Sequence, residues 1–500
     1  MRHVGRREDD AAAAERLRRT ADGELAAAVD DGVELVDAGV GVRGVLLPRL
    51  ERVEAGHQLR AGEERRLAHL LRIPDGAGSD VGEEKVIRGA IHEQAPAGWL
   101  VGRKGGDRKL ARMVSTSDPT TEAAQAEALA ARLLELAAIR SVSRDEKALA
   151  DHLEPRLRAL PGVQVRRIAD NLVATLPALS ATSVGKPRVL LCGHLDTVPE
   201  NQNLPPRREG DLIHGLGTSD LKAGLVVLLA VFEELARLLA ADPGAAARVP
   251  FDPALVFYSK EEIAFALSGL NDLEAALPEL KQAAFAICVE PTSNAVELGC
   301  LGTLHAEVTV RGKAAHAARP WLGENAIHAA LPLLARISMR PERRWSPPGR
   351  PDVEYREVMS VTGVNGGKAR NVIPDHCTFN INFRFAPDRS PDEARQIVID
   401  LVAGFRNVEV VFKDLAPAGR IPAKNALCDR LVALAGQVRA KQAWTDVGRF
   451  TAWNVDAVSF GPGFPELAHQ QAEHASIAKM VESRRIFRQL LGLESGSLAP

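Results

Sequence analysis

Apolar residues along this chain recur in two rhythms, and the places where one gives way to the other outline the fold. From Thr121 to about Ile139, Ala, Leu and Ile return every three or four positions, which predicts a helix; a second is predicted from about Arg144 to Leu157, with Pro155 obscuring its end. Short apolar runs at Val163–Ile168, Leu172–Leu176, Pro187–Cys192, Ala254–Tyr258 and Ala283–Val289 have the length of buried strands. Between them Leu221–Leu239 has a long helical period. Near Gly299 the character shifts. Thr303–Val310 alternates as a strand, Asn325–Ile337 is helical, Val353–Val361 and Cys377–Phe385 are strands, Pro391–Val402 is helical and Val408–Phe412 is a strand. That order, βαββαβ, is the ferredoxin-like pattern, and it predicts an inserted domain. After Pro422 the first domain resumes with a helix over Leu427–Leu434, a strand over Ala457–Phe460 and a last helix from about Ser476.

Residues 1–112 do not share these rhythms. They are dominated by Ala, Arg, Gly, Glu and Val, contain Trp99 as their one aromatic residue, and have no lysine before Lys85. Such a stretch has little apolar surface to set against the entropy of ordering, although short helices are compatible with residues 10–30 and 60–72. Acidic residues interspersed with its arginines weaken a reading as an RNA-binding tail. The expected division is a low-order extension over 1–112, with Met113 as the true start, a first part of the larger domain over 113–299, the insert over 300–413, a second part of the larger domain over 414–492 and a tail over 493–500.

Composition narrows the function classes. A net charge of -2 across 500 residues gives no whole-protein attraction to nucleic acid or to an anionic membrane. No apolar run reaches the roughly 18 residues that a spanning helix needs. The five cysteines, Cys192, Cys288, Cys300, Cys377 and Cys428, are scattered and lack metal-binding spacing, so they read as reduced core residues of a cytoplasmic protein.

The candidate chemistry begins at GHLDTVP, residues 193–199. Gly193 is expected to end the preceding strand, so that His194 and Asp196, two apart on extended backbone, point the same way. Asp220, in GLGTSDLKAGL at 215–225, stands where a loop becomes a helix and reads as an N-cap, a metal ligand, or both. Two further strands run into Glu261–Glu262 and into Glu290. Three strands therefore end in acid or imidazole at the same relative position, where ligands gather in open α/β sheets. Carboxylates collected there repel one another unless a cation lies between them. His469, in LAHQQAEH, adds a second imidazole.

With these residues laid out, the chain over about 118–490 resembles the M20 metallopeptidase family. GHLDTVP, GLGTSDLKAG, YSKEEI, VEPT, GCLGTL, RGKAAHAARPWLGENAIH, RNVIPD, NFRFAPDRS, WTDVGRF and FGPG carry the likeness. It implies an α/β fold: a zinc-aminopeptidase-like catalytic domain, with a mixed sheet flanked by helices, and an inserted ferredoxin-like dimerisation domain. It implies two zinc ions per subunit, for which cobalt can substitute, one held by His194 and Glu290, the other by Glu262 and His469, with Asp220 bridging both. Glu261 would be the general base, Asp196 would orient His194, and His316 of a neighbouring copy in a homodimer would steady the oxyanion. The implied substrate is N-succinyl-LL-diaminopimelate, with Asn371, Arg384, Thr445 and Arg449, and less strongly Arg319, contacting its charged groups. Another M20 hydrolase, such as an acetylornithine deacetylase or a dipeptidase, is the alternative enzyme, and a metal-free binding protein on the same fold is the remote one. One position departs from the family pattern: Ala472 stands before Glu473 where an aspartate is usual, which leaves His469 in place but questions its supporting contacts.

Overall fold

A computed structural model describes residues 119–182 and 185–493. The expectations for residues 1–112 fall outside the described residues, as does all but the first residue of the tail.

The described chain builds an eight-stranded mixed sheet from β1 (Gln164–Ile168), β2 (Asn171–Thr175), β3 (Arg188–His194), β6 (Asp252–Tyr258), β7 (Phe285–Cys288), β8 (Val296–Leu298), β14 (Val438–Ala440) and β15 (Ala457–Ser459). Their order is β1-β2-β6-β3-β7-β15-β8-β14, with β3 parallel to both β6 and β7. The central strands are buried on both faces, which is why they read as unbroken apolar runs. Alternate residues divide between two cores. Leu191, Leu255 and Ile287 face the helices Pro119–Ala138, Lys147–Arg158, Ala223–Ala241 and Ile477–Leu490, whereas Leu190, Val256 and Ala286 face Gly269–Ala276 and Val447–Ala452. Truncating one of these leucines to alanine costs about 2–5 kcal/mol, the usual range for a core that cannot fully collapse.

Two boundaries differ from expectation for local reasons. Gly193 does not end β3, which continues through His194. A Cβ on Gly193 would lie 2.5 Å from Leu225 Cδ2, so its glycine serves the close approach of the helix Ala223–Ala241. The second helix begins at Lys147 instead of Arg144, because Arg144 has a φ of 79° and Glu146 bends its carboxylate back to accept the Arg144 N–H. Pro155 lies inside this helix, which runs on to Arg158.

The insert forms a second, antiparallel sheet of β9 (Gly302–Arg311), β10 (Arg343–Trp345), β11 (Tyr355–Gly366), β12 (His376–Phe385) and β13 (Val408–Ala416), in the order β10-β11-β12-β9-β13. Its four long strands keep ferredoxin-like order; β10, a three-residue edge rich in arginine, gave no strand signal. Helices Ala326–Ser338 and Pro391–Val402 cover one face, opened by an Asn325 cap and by a Ser390–Glu393 capping box. The chain leaves and re-enters the first domain side by side, Cys300 and Gly419 exchanging backbone hydrogen bonds of 3.2 and 3.0 Å. A small sheet of β4 (Arg207–Glu209), β5 (Leu212–His214) and β16 (His474–Ser476) was not expected. All five cysteines are free and buried, and among the described residues no helix is long and apolar enough to cross a membrane.

Candidate metal centre

Because β6, β3 and β7 are neighbours running the same way, their carboxyl ends open onto one rim. β3 brings His194 as its last residue, the turn after β6 brings Glu261 and Glu262, and the chain two residues beyond β7 brings Glu290. Asp220 and His469 come from loops that close over this rim. Three groups of donor atoms lie mutually within 4.8 Å: His194, Asp220 and Glu290; Asp220, Glu262 and His469; and His194, Glu261 and Glu262. Asp220 belongs to the first two and turns one oxygen to each histidine, Oδ1 at 3.2 Å from His194 Nε2 and Oδ2 at 3.5 Å from His469 Nε2. His469 Nε2 is 2.9 Å from Glu262 Oε1.

Asp220 is not an N-cap. It sits in a tight turn, Thr218–Lys222, with φ -120° and ψ 88°, and the helix behind it starts at Ala223 after Lys222. A capping aspartate would face down the helix axis; this one is turned across the rim.

The sequence expectation for Asp196 also changes in detail. His194 Nδ1 lies 2.9 Å from the Asp196 carbonyl oxygen but 3.7 Å from its carboxylate. A carbonyl only accepts, so Nδ1 carries a proton, and Nε2 is the nitrogen turned to Asp220 Oδ1 at 3.2 Å. The Asp196 carboxylate instead accepts the backbone N–H groups of Glu261 at 2.9 Å and Glu262 at 3.0 Å, together with the Ser143 hydroxyl at 2.7 Å. It therefore fixes the turn that presents both glutamates.

Electrostatics show what the collected acids lack. Burial pushes the Glu261 and Glu262 carboxyls up, and burial with the nearby Asp220 raises Glu290 to about 7. Asp220 and Glu262 hold the His469 imidazole up at about 10, and although burial alone would lower His194, Asp220, Glu261 and Asp196 hold it well above its usual range. Burial would raise Asp220 too, yet the two histidines keep it low. Glu290 Oε1 is buried without any hydrogen-bond partner. Two imidazoles and three carboxylates, short of positive charge and sharing one two-faced aspartate, fit a pair of divalent cations.

His316, Arg319 and Asn371 are exposed on loops of the insert, where the Asn371 carbonyl accepts the Ala317 N–H at 2.9 Å and His316 Nδ1 accepts that of Ala318 at 3.0 Å. Arg384 is half-buried on β12 and donates through Nε to Asn382 at 3.0 Å. Thr445 is buried, its hydroxyl 3.4 Å from that of Ser459. Arg449 is 2% exposed and turned inward: it donates to Asp446, Asn271 and the Phe265 carbonyl and lies 3.9 Å over the Phe265 ring. Sequence reasoning missed the part played by Glu473, whose buried carboxylate accepts three backbone N–H groups of the Asp220 loop. A single acid in a polar, aperiodic stretch carries no signal of such a role.

Residues 299–404 match the family model described as the peptidase dimerisation domain. The chain is 36% identical over 360 residues to the succinyl-diaminopimelate desuccinylase of Corynebacterium glutamicum, covering 71% of this chain and 93% of that protein. It is 43% identical over 359 residues to a Mycobacterium tuberculosis protein provisionally named succinyl-diaminopimelate desuccinylase DapE, covering 71% and 95%. Its fold is similar to that of a Bacillus subtilis protein titled a dinuclear metal binding peptidase from the M20 family, with a TM-score of 0.54, 15% identity, and coverage of 74% of this chain and 98% of that one.

Proposed function

The chain belongs to the M20 metallopeptidase family, and from that premise we propose that it hydrolyses N-succinyl-LL-2,6-diaminopimelate to succinate and LL-2,6-diaminopimelate. The observation that carries this reading is the placement of Asp220, one oxygen toward each of two histidine–carboxylate groups.

In this reading His194 and Glu290 would hold one ion, Glu262 and His469 the other, with Asp220 contributing to both. Zinc suits this donor set, and cobalt or manganese would be accepted by the same atoms. When bound, the pair of cations supplies Lewis acidity to water and to the scissile carbonyl. Everything else falls to side chains. Glu261 takes the proton that water loses as its oxygen bonds to the amide carbon, then delivers it to the nitrogen as the C–N bond breaks, so that succinate and an amine leave. His316 of a second copy would donate to the developing oxyanion, which makes a homodimer part of the proposal.

The substrate carries three carboxylates and one ammonium, and guanidinium forks suit carboxylates. Arg384 keeps donors free for this after Nε is taken by Asn382. Asn371, Thr445 and Arg449 are proposed beside it, with Arg319 as a weaker addition. Arg449 has three groups already on its donors, so it reaches substrate only through its remaining N–H groups or by a shift of Phe265. Five buried thiols fit a reducing cytoplasm.

The test is succinate release from N-succinyl-LL-diaminopimelate by the zinc-loaded protein, run against N-acetylornithine and simple dipeptides. Preferential turnover of the succinyl substrate is expected. Faster turnover of the acetyl or peptide substrates would move the activity elsewhere in the family, and no turnover of any would support a binding protein.

A further inference from the structure

Asp220 needs its unusual backbone held in place, because the π-helical turn that carries it leaves helical φ/ψ at Asp220 and Leu221. Gly217 opens it with a φ of 71°, and a Cβ there would fall 2.5 Å from Thr197 Cγ2. The turn has few internal bonds, chiefly Thr218 N–H to Gly215 at 3.2 Å and Lys222 N–H to Gly217 at 2.7 Å. Three of its other amides point to one carboxylate. Glu473, 2% exposed, accepts the N–H of Ser219 at 2.9 Å and of Asp220 at 3.0 Å on Oε1, and that of Gly217 at 3.0 Å on Oε2. Its own carbonyl takes the Gly215 N–H at 3.1 Å. On the other side of His469, the Ser219 hydroxyl donates to the Phe464 carbonyl at 3.2 Å and accepts the Phe464 N–H at 2.5 Å. The segment Phe464–Glu473 thus supplies one candidate ligand, His469, from its middle, and grips the loop of another with both ends.

We propose that Glu473 is the positioning residue for Asp220: its carboxylate sets that side chain between the two histidines and couples its place to that of His469. Three converging N–H groups call for two accepting oxygens on one side chain, which a carboxylate supplies. The family position before it, Ala472, offers only a carbonyl, which accepts from His474 Nδ1 at 2.9 Å; the support comes from Glu473 and reaches Asp220. This inference rests on the two-cation reading of the site and adds a residue to it.

The experiment is calorimetric titration of the full-length, metal-stripped chain with zinc against a competing chelator, for wild type, Glu473→Ala and Glu473→Gln, with circular dichroism to check the fold. Residues that orient metal ligands typically govern affinity by about 10–100-fold, and a loss of that size is expected in both variants. At zinc concentrations that saturate wild type, the stoichiometry should fall from two toward one. With zinc in excess, kcat should fall while KM for the succinyl substrate stays put. Should Glu473→Ala fail to fold, Glu473→Gln, of equal volume and with one accepting oxygen left, carries the comparison. Two zinc ions bound within threefold of the wild-type affinity would overturn the proposal, even with a lowered melting temperature. A wild-type chain that binds no zinc would overturn the reading of the site along with it, which separates the two failures.

Discussion

Replacing Asp196 by asparagine changes one carboxylate oxygen to an amide NH2 and leaves the side chain's shape alone, which makes it a sharp probe of how the glutamate turn is held. The carboxylate is 1% exposed and accepts three hydrogen bonds, from the Glu261 and Glu262 amides at 2.9 and 3.0 Å and from the Ser143 hydroxyl at 2.7 Å. In the variant one acceptor becomes a donor, and at least one of the two amides then faces another N–H. The loss comprises a charge-assisted bond, about 1.5–3 kcal/mol, and a buried amide without an acceptor, about 1–3 kcal/mol, so roughly 2.5–6 kcal/mol together. Relaxation of the turn recovers part of this as conformational stability, but only by moving Glu261 and Glu262. At 1.36 kcal/mol per tenfold, even the lower bound corresponds to nearly a hundredfold in kcat/KM if it falls on the reacting geometry. The assay is steady-state succinate release with zinc in excess, paired with zinc content and the melting temperature of the stripped protein. Ser143→Ala, which removes only the hydroxyl bond, should lose no more than about tenfold, as a neutral donor to this group is worth less than the pair of amides. An Asp196→Asn enzyme within threefold of wild type in kcat/KM would refute the assignment of the turn to Asp196.

Glu261→Gln should keep both metal ions, as measured by elemental analysis, and lose about 10²–10⁴-fold in turnover, the range typical of a general base; full activity would remove Glu261 from that role. Zinc binding should release protons at pH 7, because His469 at about 10 and Glu290 at about 7 hold protons that ligation displaces, so affinity rises with pH. Titrations in two buffers of different ionisation enthalpy read this directly, and identical apparent enthalpies would contradict it. Glu233, buried beneath Arg132, Arg156 and Arg237, offers a pH test of the fold. Burial alone would raise its carboxyl, but Arg156 and Arg132 hold it below its usual value, so its stabilisation is present above the unfolded pKa and disappears as pH falls through the folded one. Glu233→Gln should therefore cost about 1–3 kcal/mol in urea unfolding at pH 7, and the gap to wild type should close below about pH 4; a gap independent of pH would count against it.

The parts of this protein legible in its sequence are those governed by periodic burial. β6 and β7 are apolar on both faces, the helix Pro391–Val402 has a capping box at its start, and the alternation of β9 and β12 marks a sheet with one covered face. The acids at the strand ends were legible for the same reason, since the strands told where their ends would be. What stayed hidden depends on contacts between distant segments. Gly193 looked like a strand terminator because its real constraint, the side chain of Leu225, lies on another element. Asp220 looked like a cap because a helix does follow, two residues later than the pattern implied. The Asp196 carboxylate was matched with the imidazole two positions away, whereas its partners are amides some 65 residues on. β4, β5 and β16, three residues each, bury too little to leave any periodicity.

The rim above β6, β3 and β7 draws its donors from five stretches of chain, and the last, His469, lies beyond the whole insert. During synthesis, then, four acids and one imidazole must wait on the growing polypeptide until nearly all of the described fold has left the ribosome. An ion captured early would find a partial and mis-set cage. Loading of the proposed site would thus be a closing act, and the finished cage a rivet through regions far apart in the chain.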